Sequence, residues 1–271
     1  MTQPADAEPT PEDNRASEDN RTPETNRAPE AAAEGSRVAV TYLRESSPRW
    51  NRARFRKVLE APVDPAELAA IGRRRIALRH YAPAPLHPSY AGQHHAGGGA
   101  EGQVTADLLS VSPAYGAVLY NLARSIDAKL LVENGAGFGI SSMYLAAAAR
   151  RAEGGTLLSF EISDYAQIAQ ASVNLVDPGS RVVQGDFACF PGHLAGTAAI
   201  DLAFIDAMHD KDSMLRAFKS LIGWMAPQSI IIVDDLYYSE SSREGFRCMM
   251  RMELHDFVCI VNKRFGVLIK G

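Results

Sequence analysis

Residues 132–141 read Val-Glu-Asn-Gly-Ala-Gly-Phe-Gly-Ile-Ser, an apolar strand that leads through a glycine-rich loop into a helix. Gly135, Gly137 and Gly139 let the backbone turn tightly and let a ligand approach the amino end of that helix. The stretch therefore predicts a site for a nucleotide-like ligand. A nicotinamide dinucleotide fingerprint would require glycine in place of Ile140, and a phosphate-binding loop would require a Gly-Lys-Ser/Thr sequence that is absent here.

Apolar strands and amphipathic helices alternate around this loop, which predicts an α/β fold with a mostly parallel sheet covered by helices on both faces. The domain opens with a helix capped by Ser112-Pro113. The predicted strands are 130–133, 156–161, 181–184, 200–205 and 229–233, and the predicted helices are 140–151, 165–175, 213–224 and 243–252. Residues 257–261 and 265–269, joined by Asn262-Lys263-Arg264, are expected to form a hairpin.

Composition divides the chain into three parts. Residues 1–35 contain almost no large apolar side chain, so we expect a disordered, low-complexity tail. Residues 36–103 are interpreted as an N-terminal helical or lid segment that ends in a glycine-rich loop containing His94-His95, and residues 104–271 as the main domain. The two histidines could form a lid or a metal pair, but an ordinary loop is the favoured interpretation.

Bulk properties exclude several classes of protein. The chain has 271 residues, 46% of them hydrophobic, and a net charge of -4, which argues against nucleic acid as a partner despite a basic stretch at 44–79. It lacks a signal peptide and an apolar run of membrane-spanning length, so we expect a cytoplasmic protein without a membrane partner. Three widely spaced cysteines fit neither a disulfide framework nor a zinc site.

Acidic residues end the two strands that follow the glycine loop. Glu161 stands about twenty residues beyond the loop, where an acid can accept the ribose hydroxyls of an adenosine. Asp186 ends the third strand and is expected beside the adenine. Each acid could instead cap a neighbouring helix. However, the glycine loop, Glu161 and Asp186 follow three successive strands in the correct order, which is more specific than a glycine pattern alone.

Residues 112–235 resemble the class I S-adenosylmethionine-dependent methyltransferases, particularly the catechol and caffeoyl-coenzyme A type O-methyltransferases. The resemblance implies a Rossmann-like, seven-stranded sheet with a C-terminal antiparallel hairpin, S-adenosylmethionine as cofactor, and a homodimer. It places Glu133, Gly135 and Ser141 at the methionine end of the cofactor, Glu161 at the ribose, and Asp186 with Phe187 near the adenine. Asn134 departs from the aliphatic residue usual there. The full set of candidate cofactor-binding residues is Glu133, Gly135, Gly137, Gly139, Ser141, Glu161, Ile162, Asp186, Phe187 and Asp206.

Three further acids end the fourth and fifth strands. Asp206, Asp234 and Asp235 would converge at neighbouring strand ends, an arrangement that is costly unless a cation neutralises it. Oxygen ligands favour Mg²⁺, or else Ca²⁺ or Mn²⁺. The resembling enzymes hold a divalent metal with an Asp and an Asp-Asn pair, and such a metal would orient a substrate hydroxyl and lower its pKa. The alternative is an acid pair without a metal.

His209 follows Asp206 closely and stands where the resembling family commonly has a lysine as general base. Histidine titrates near neutrality and can take the proton of an acceptor hydroxyl, so His209 and Asp206 are the candidate catalytic residues. His209 could instead cap or pair with the helix that contains Asp210 and Asp212, and Lys211 is a substitute base. Tyr237 and Tyr238 could line the substrate pocket or pack as ordinary aromatics.

The resulting prediction is an O-methyltransferase that acts on a hydroxyl of a small, catechol-like molecule or secondary metabolite with the help of Mg²⁺ or another divalent metal. Two alternatives stay open: a metal-independent methyltransferase acting on another acceptor, such as nucleic acid or protein, and a non-catalytic cofactor-binding or scaffold protein. Asp206-Ala-Met-His209 differs from the Asn/Asp-Pro-Pro-Tyr/Phe motif of base methyltransferases, which counts against a nucleic-acid substrate.

Overall fold

An eight-stranded sheet forms the centre of the protein in a computed structural model that describes residues 38–85, 88, 103–194, 196 and 199–271. The strands are β1 Val40–Glu45, β2 Ala84–Pro85, β3 Gln103–Val104, β4 Leu130–Asn134, β5 Thr156–Glu161, β6 Arg181–Gln184, β7 Ile200–Ile205, β8 Met225–Val233, β9 Phe257–Val261 and β10 Phe265–Lys270. The helices are α1 Arg52–Leu59, α2 Pro65–Leu78, α3 Pro113–Ser125, α4 Ile140–Ala149, α5 Ala166–Val173, α6 Lys211–Leu221 and α7 Glu240–Arg251. The predicted tail 1–35 and the His94-His95 pair lie outside the described residues.

The strand order in the sheet is β1-β9-β10-β8-β7-β4-β5-β6. Strands β8, β7, β4, β5 and β6 are parallel, whereas β10, β9 and β1 pair antiparallel at one side. The predicted mostly parallel sheet and the terminal hairpin are therefore confirmed. Strands β2 and β3 form a separate two-stranded sheet.

The eighth strand, β1, comes from the N-terminal segment and was not predicted. It pairs with β9, with Val40 opposite Val261 and Tyr42 opposite Cys259. Only alternate residues of β1 face the protein, as is usual for an edge strand, so its sequence shows no continuous apolar run. On the buried face, Phe55 of α1 packs against Phe257 of β9 with ring centroids 5.2 Å apart. This packing attaches the N-terminal helices to the hairpin side of the sheet.

Both faces of the sheet are covered, because successive residues of each central strand enter different cores. Leu202 and Phe204 of β7 belong to the core beneath α1–α5, and Ala203 and Ile205 to the core beneath α6 and α7. Continuous apolar strands are the expected consequence of such two-sided burial. Among the described residues, no helix is both long and apolar enough to span a membrane.

Candidate active site

The candidate site lies along one edge of the sheet, where four neighbouring parallel strands end. Backbone hydrogen bonds extend the pairing just past these ends: Gly135 N donates to Phe160 O, and Asp234 N donates to Ile205 O, each over 2.9 Å. The strand order β8-β7-β4-β5 therefore places Asp234, Asp206, the glycine loop and Glu161 side by side along this edge. In open α/β sheets this is where ligands bind.

The glycine loop fits tightly against its neighbours. Gly135 has a φ of +99°, and a Cβ atom there would stand 2.4 Å from the backbone oxygen of Asp206. Gly139 precedes α4 with a φ of +87°, and a Cβ atom there would stand 2.8 Å from Cα of Ala169 in α5. Both the backbone conformation and the close approach exclude a larger residue, which explains the glycines that the sequence places after β4.

Glu133 lies fully buried beneath this loop. Its Oε2 accepts hydrogen bonds from the hydroxyls of Ser142 and Ser159, the latter over 2.5 Å. Its Oε1 has no hydrogen-bond partner among the described residues. Burial raises the pKa of Glu133 to about 6, although the serine hydroxyls act in the opposite direction. A buried, unpartnered carboxylate oxygen is costly to retain, so this atom fits the amino group that the methionine end of the predicted cofactor would supply.

Glu161 ties the glycine loop to the next strand. Its Oε2 accepts a hydrogen bond from Gly137 N over 2.7 Å, and its Oε1 accepts from the backbone and hydroxyl of Ser163. These bonds occupy most of the roughly four acceptor positions of a carboxylate. Ile162, the next residue, is 39% exposed and offers an apolar surface at the same edge. Contact of Glu161 with ribose and of Ile162 with the cofactor stay predictions.

Asp186 and Phe187 have structural roles at the end of β6. The Asp186 side chain caps the 3₁₀ helix Phe187–His193 by accepting from Ala188 N over 2.8 Å, which is the capping alternative considered for these acids. Phe187 is buried and stacks on Phe190, with ring centroids 5.1 Å apart. A role for either residue near the adenine stays a prediction.

Arg264 neutralises the acid cluster. Its Nε donates to Oδ1 of Asp234 and its Nη2 donates to Oδ2, each at a distance of 2.6 Å. Nε also lies 3.4 Å from Oδ1 of Asp235. Burial disfavours the guanidinium charge, but the carboxylate of Asp234, followed by those of Asp235 and Asp206, outweighs burial and raises the pKa of Arg264. The cation at this cluster is therefore an arginine side chain.

This arrangement differs from the predicted metal site. No group of three or more His, Cys, Asp and Glu side chains in the described part of the chain is placed to hold a metal ion. Both carboxylate oxygens of Asp234 are taken by Arg264, and a divalent ion would have to displace the guanidinium to reach them. The prediction that Asp206, Asp234 and Asp235 bind Mg²⁺ therefore does not fit the geometry.

Asp206 lies between the glycine loop and the acid pair. Burial, followed by the charges of Asp234 and Asp235, raises the pKa of Asp206 well above its usual value. The ionised form of Asp206 is therefore less favourable than that of an exposed aspartate.

His209 lies beside Asp235 and Tyr238. Its Nε2 is 3.6 Å from Oδ2 of Asp235, and its ring centroid is 5.2 Å from that of Tyr238. Its backbone oxygen accepts hydrogen bonds from the hydroxyls of Ser239 and Ser242 at the start of α7. These contacts hold the imidazole in place beside the strand ends.

The helix-capping alternative for His209 does not apply, because Asp210 caps α6. Oδ1 of Asp210 accepts from the backbone N–H groups of Asp212 and Ser213 over 3.0 and 2.9 Å.

Asp235 adopts a φ of +51°, a conformation uncommon for a residue other than glycine. Strained backbone of this kind often occurs at functional sites. The Asp235 carboxylate lies 3.6 Å from Nε2 of His209.

Arg264 is not among the site residues predicted from the sequence, where it stands only in the hairpin connection. Pairing of β10 with β8 places Gly266 opposite Val233, so the antiparallel register, continued by two residues, places Arg264 next to the acid pair that follows β8. The predicted hairpin contained this signal, but the neighbour of β10 had not been predicted. Arg264 also lies over the ring of Tyr115, 4.8 Å from its centroid.

Comparisons with known proteins agree with the fold. Residues 132–236 match a family model described as a methyltransferase domain. The match includes the glycine loop and all three acids of the cluster. A search of curated proteins gives no match.

Solved structures share the fold at low sequence identity. An O-methyltransferase from Bacillus cereus in complex with S-adenosylhomocysteine is 18% identical, with a TM-score of 0.51 over 80% of this chain and 94% of that chain. The O-methyltransferase TomG from Streptomyces achromogenes, involved in tomaymycin synthesis and bound to S-adenosylmethionine, is 21% identical, with a TM-score of 0.53 over 82% and 98%. The methyltransferase PaMTH1 from Podospora anserina, bound to S-adenosylhomocysteine, is 15% identical, with a TM-score of 0.56 over 82% and 96%. The fold is therefore the class I methyltransferase fold.

Proposed function

We propose that the protein is an S-adenosylmethionine-dependent O-methyltransferase that methylates a hydroxyl group of a small molecule. The observation that carries this proposal is the unpartnered Oε1 of Glu133, buried beneath a glycine loop that admits no Cβ atom at Gly135. The methyltransferase-domain match over residues 132–236 supports it. Two O-methyltransferases of the same fold have S-adenosylhomocysteine or S-adenosylmethionine bound in their solved structures.

The cofactor would lie along the strand ends from Glu133 to Glu161. Glu133 and Ser141 would hold its amino-acid end, the glycine loop would follow its backbone, and Ile162 would cover its adenosine end. S-adenosylmethionine supplies a methyl group on a positively charged sulfur, which leaves as a neutral thioether when an oxygen attacks the carbon. What remains for the protein is to align the acceptor and remove its proton.

His209 is the proposed general base. The Asp235 carboxylate faces Nε2 of the ring, which favours the tautomer with its hydrogen on Nε2 and leaves the lone pair on Nδ1. The acceptor O–H bond breaks, its proton goes to Nδ1, and the oxygen forms a bond to the methyl carbon as the carbon–sulfur bond breaks. Asp235 then stabilises the imidazolium. Tyr237 and Tyr238, 47% and 38% exposed, are the proposed aromatic wall for the acceptor.

A divalent metal takes no part in this proposal, because Arg264 already holds both oxygens of Asp234. The homodimer and the cytoplasmic location stay predictions, the first from the family resemblance and the second from the sequence.

Calorimetry with S-adenosylhomocysteine, followed by turnover of S-adenosylmethionine with catechol, protocatechuate and para-hydroxybenzoate, tests the proposal. We expect cofactor binding and methylation of at least one hydroxyl. His209→Gln should lower turnover about 100-fold, the usual contribution of a positioned base, and leave cofactor binding unchanged. His80→Gln, at an exposed position in the turn after α2, is the matched control. Cofactor binding without turnover of any acceptor would favour the scaffold alternative, and failure to bind the cofactor would refute the proposal.

A further inference from the structure

Arg264 is held more firmly than charge pairing alone requires. Its guanidinium lies over the rings of Tyr115 and Phe265, at 4.8 and 5.8 Å from their centroids. Its backbone oxygen accepts a hydrogen bond from Leu236 N over 3.1 Å, directly after the acid pair. The preceding turn residues, Asn262 and Lys263, both have positive φ, as a tight hairpin turn requires. Backbone, rings and carboxylates together fix the position of the guanidinium relative to Asp235.

Part of this guanidinium is free to bind a ligand. The side chain is 28% exposed, whereas that of Asp234 beneath it is 0% exposed. Its hydrogen bonds to other described residues use Nε and Nη2. Nη1 donates to none of them and carries two further N–H groups. A cation with unused donors therefore lies beside the carboxylate that faces His209.

We propose that Arg264 is the acceptor-binding cation of this site and takes the place of a divalent metal. This inference rests on the proposed O-methyltransferase function. Nη1 donates hydrogen bonds to the acceptor oxygen, favours its ionised form, and holds it beside His209, which receives the proton. The guanidinium stays charged throughout, so no proton is exchanged with it.

The N–H groups that Asp234 does not use, two on Nη1 and one on Nη2, lie in the guanidinium plane and predict what kind of acceptor binds. A guanidinium donates best to two oxygens in one plane. Acceptors with a second oxygen next to the methylated hydroxyl, such as ortho-diphenols, should therefore react faster than monophenols. Exposed Tyr237 and Tyr238 beside the cluster suit an aromatic acceptor.

The first test compares turnover of protocatechuate and para-hydroxybenzoate by the wild type, Arg264→Lys, Arg264→Gln and Arg247→Gln. Arg247, on the exposed side of α7 and paired with Glu240 and Glu244, is the matched control. Arg264→Lys should lower kcat/KM for protocatechuate about 10- to 100-fold, the range for a lost charged hydrogen bond, and Arg264→Gln at least as much. The preference for protocatechuate should shrink in both, and affinity for S-adenosylhomocysteine should stay within about twofold. Unchanged kcat/KM and preference in a folded Arg264→Gln variant would overturn the inference.

Arg264→Gln leaves the buried Asp234 without a partner, which can unfold the protein. The double variant Asp234→Asn with Arg264→Gln removes both charges and keeps the comparison interpretable, and thermal unfolding of each variant shows which are folded. The double variant should fold and show the same loss of turnover and preference as Arg264→Gln. Wild-type kinetics in the double variant would contradict a role in acceptor binding.

The second test measures metal binding directly. Mn²⁺ is titrated into the wild-type protein loaded with S-adenosylhomocysteine, with free ion followed by electron paramagnetic resonance. We expect no stoichiometric binding, and turnover that changes less than about twofold with a chelator. One Mn²⁺ bound per chain and lost in Asp234→Asn, or turnover abolished by the chelator, would overturn the inference while leaving the proposed methyltransferase function intact. Absence of cofactor binding would instead refute the proposed function.

Discussion

Glu133 shows how a single residue can lower stability and still serve binding. Its ionised form is buried with one oxygen unpartnered, and its pKa is raised from 4.5 to about 6. A shift of this size corresponds to about 2 kcal/mol of stability that is lost as the pH rises from the unfolded pKa through the folded pKa. An ammonium group placed at Oε1 would reverse this penalty, because it favours the ionised carboxylate.

We therefore predict opposite effects of Glu133→Gln on stability and on binding. The neutral amide should raise the free energy of unfolding of the ligand-free protein near neutral pH by up to about 2 kcal/mol. It should also weaken S-adenosylhomocysteine binding at least about tenfold, through the loss of a charged hydrogen bond. Chemical denaturation and calorimetry measure the two effects, with exposed Glu153→Gln as the control. Equal affinity of Glu133→Gln and the wild type would show that Glu133 does not hold the amino group.

The same residue predicts how cofactor affinity depends on pH. The wild type should bind S-adenosylhomocysteine fully above about pH 6 and progressively more weakly below it, because protonated Glu133 no longer attracts the ammonium. Glu133→Gln should lose this dependence. Calorimetry on both proteins over this pH range provides the measurement, and parallel curves would assign the titration to another group.

At the scale of helices and strands, the attachment of β1 and α1 depends on one aromatic cluster. Phe55 of α1 is fully buried and contacts Phe257, Tyr42 and Trp50. Phe55→Ala should lower the free energy of unfolding by about 3–5 kcal/mol, the range for removing a buried phenylalanine. Leu43→Ala, on the outer face of β1 where the side chain is 45% exposed, should change it by less than about 0.5 kcal/mol. Similar losses in urea denaturation of the two variants would contradict this account of the packing.

Strands and helices with a strong pattern could be predicted from sequence, and those without it could not. Strands β5 and β7 begin and end as predicted, because burial on both faces makes them nearly continuous apolar runs. Strand β1 alternates as an edge strand and depends on β9, more than 200 residues away, so no local signal identified it.

The residues of the site divide in the same way, into those with a local sequence signal and those without one. Gly135 and Glu133 could be predicted because their conformation and position are encoded within one strand–loop–helix segment. Arg264 could not, because its role depends on β10 lying next to β8. The sequence does not distinguish a capping role of Asp186 from a role beside the adenine; in the structure its side chain caps the following 3₁₀ helix.

At the scale of the whole molecule, His255 makes global stability depend on pH. It is buried against Phe218, its Nδ1 has no hydrogen-bond partner among the described residues, and burial, with the charge of Lys270 next, lowers its pKa from 6.5 to about 4. Between these values the unfolded histidine binds a proton that the folded one does not. The stability that neutral His255 contributes to the folded protein is therefore fully present above pH 6.5. Up to about 3 kcal/mol of it is lost as the pH falls toward 4.

His255→Phe should flatten this dependence, since the ring is kept and the titrating group is removed. The free energy of unfolding of the variant should fall less steeply than that of the wild type between pH 6.5 and 4. Denaturant titrations at several pH values measure the slopes, and exposed His80→Phe should keep the wild-type slope. Identical slopes for His255→Phe and the wild type would show that His255 ionises equally in both states.

The pairing of β1 with β9 also bears on the order in which the protein can fold during its synthesis. Strand β1 leaves the ribosome well before its hydrogen-bonding partner β9, which lies more than 200 residues further along the chain. The parallel centre of the sheet, from β4 to β8, involves shorter separations and can assemble while β1 waits. During that interval the backbone of β1 exposes unpaired N–H and C=O groups, a feature that promotes association between chains. The nascent chain therefore stays open to such association at β1 until the β9–β10 hairpin forms beside it.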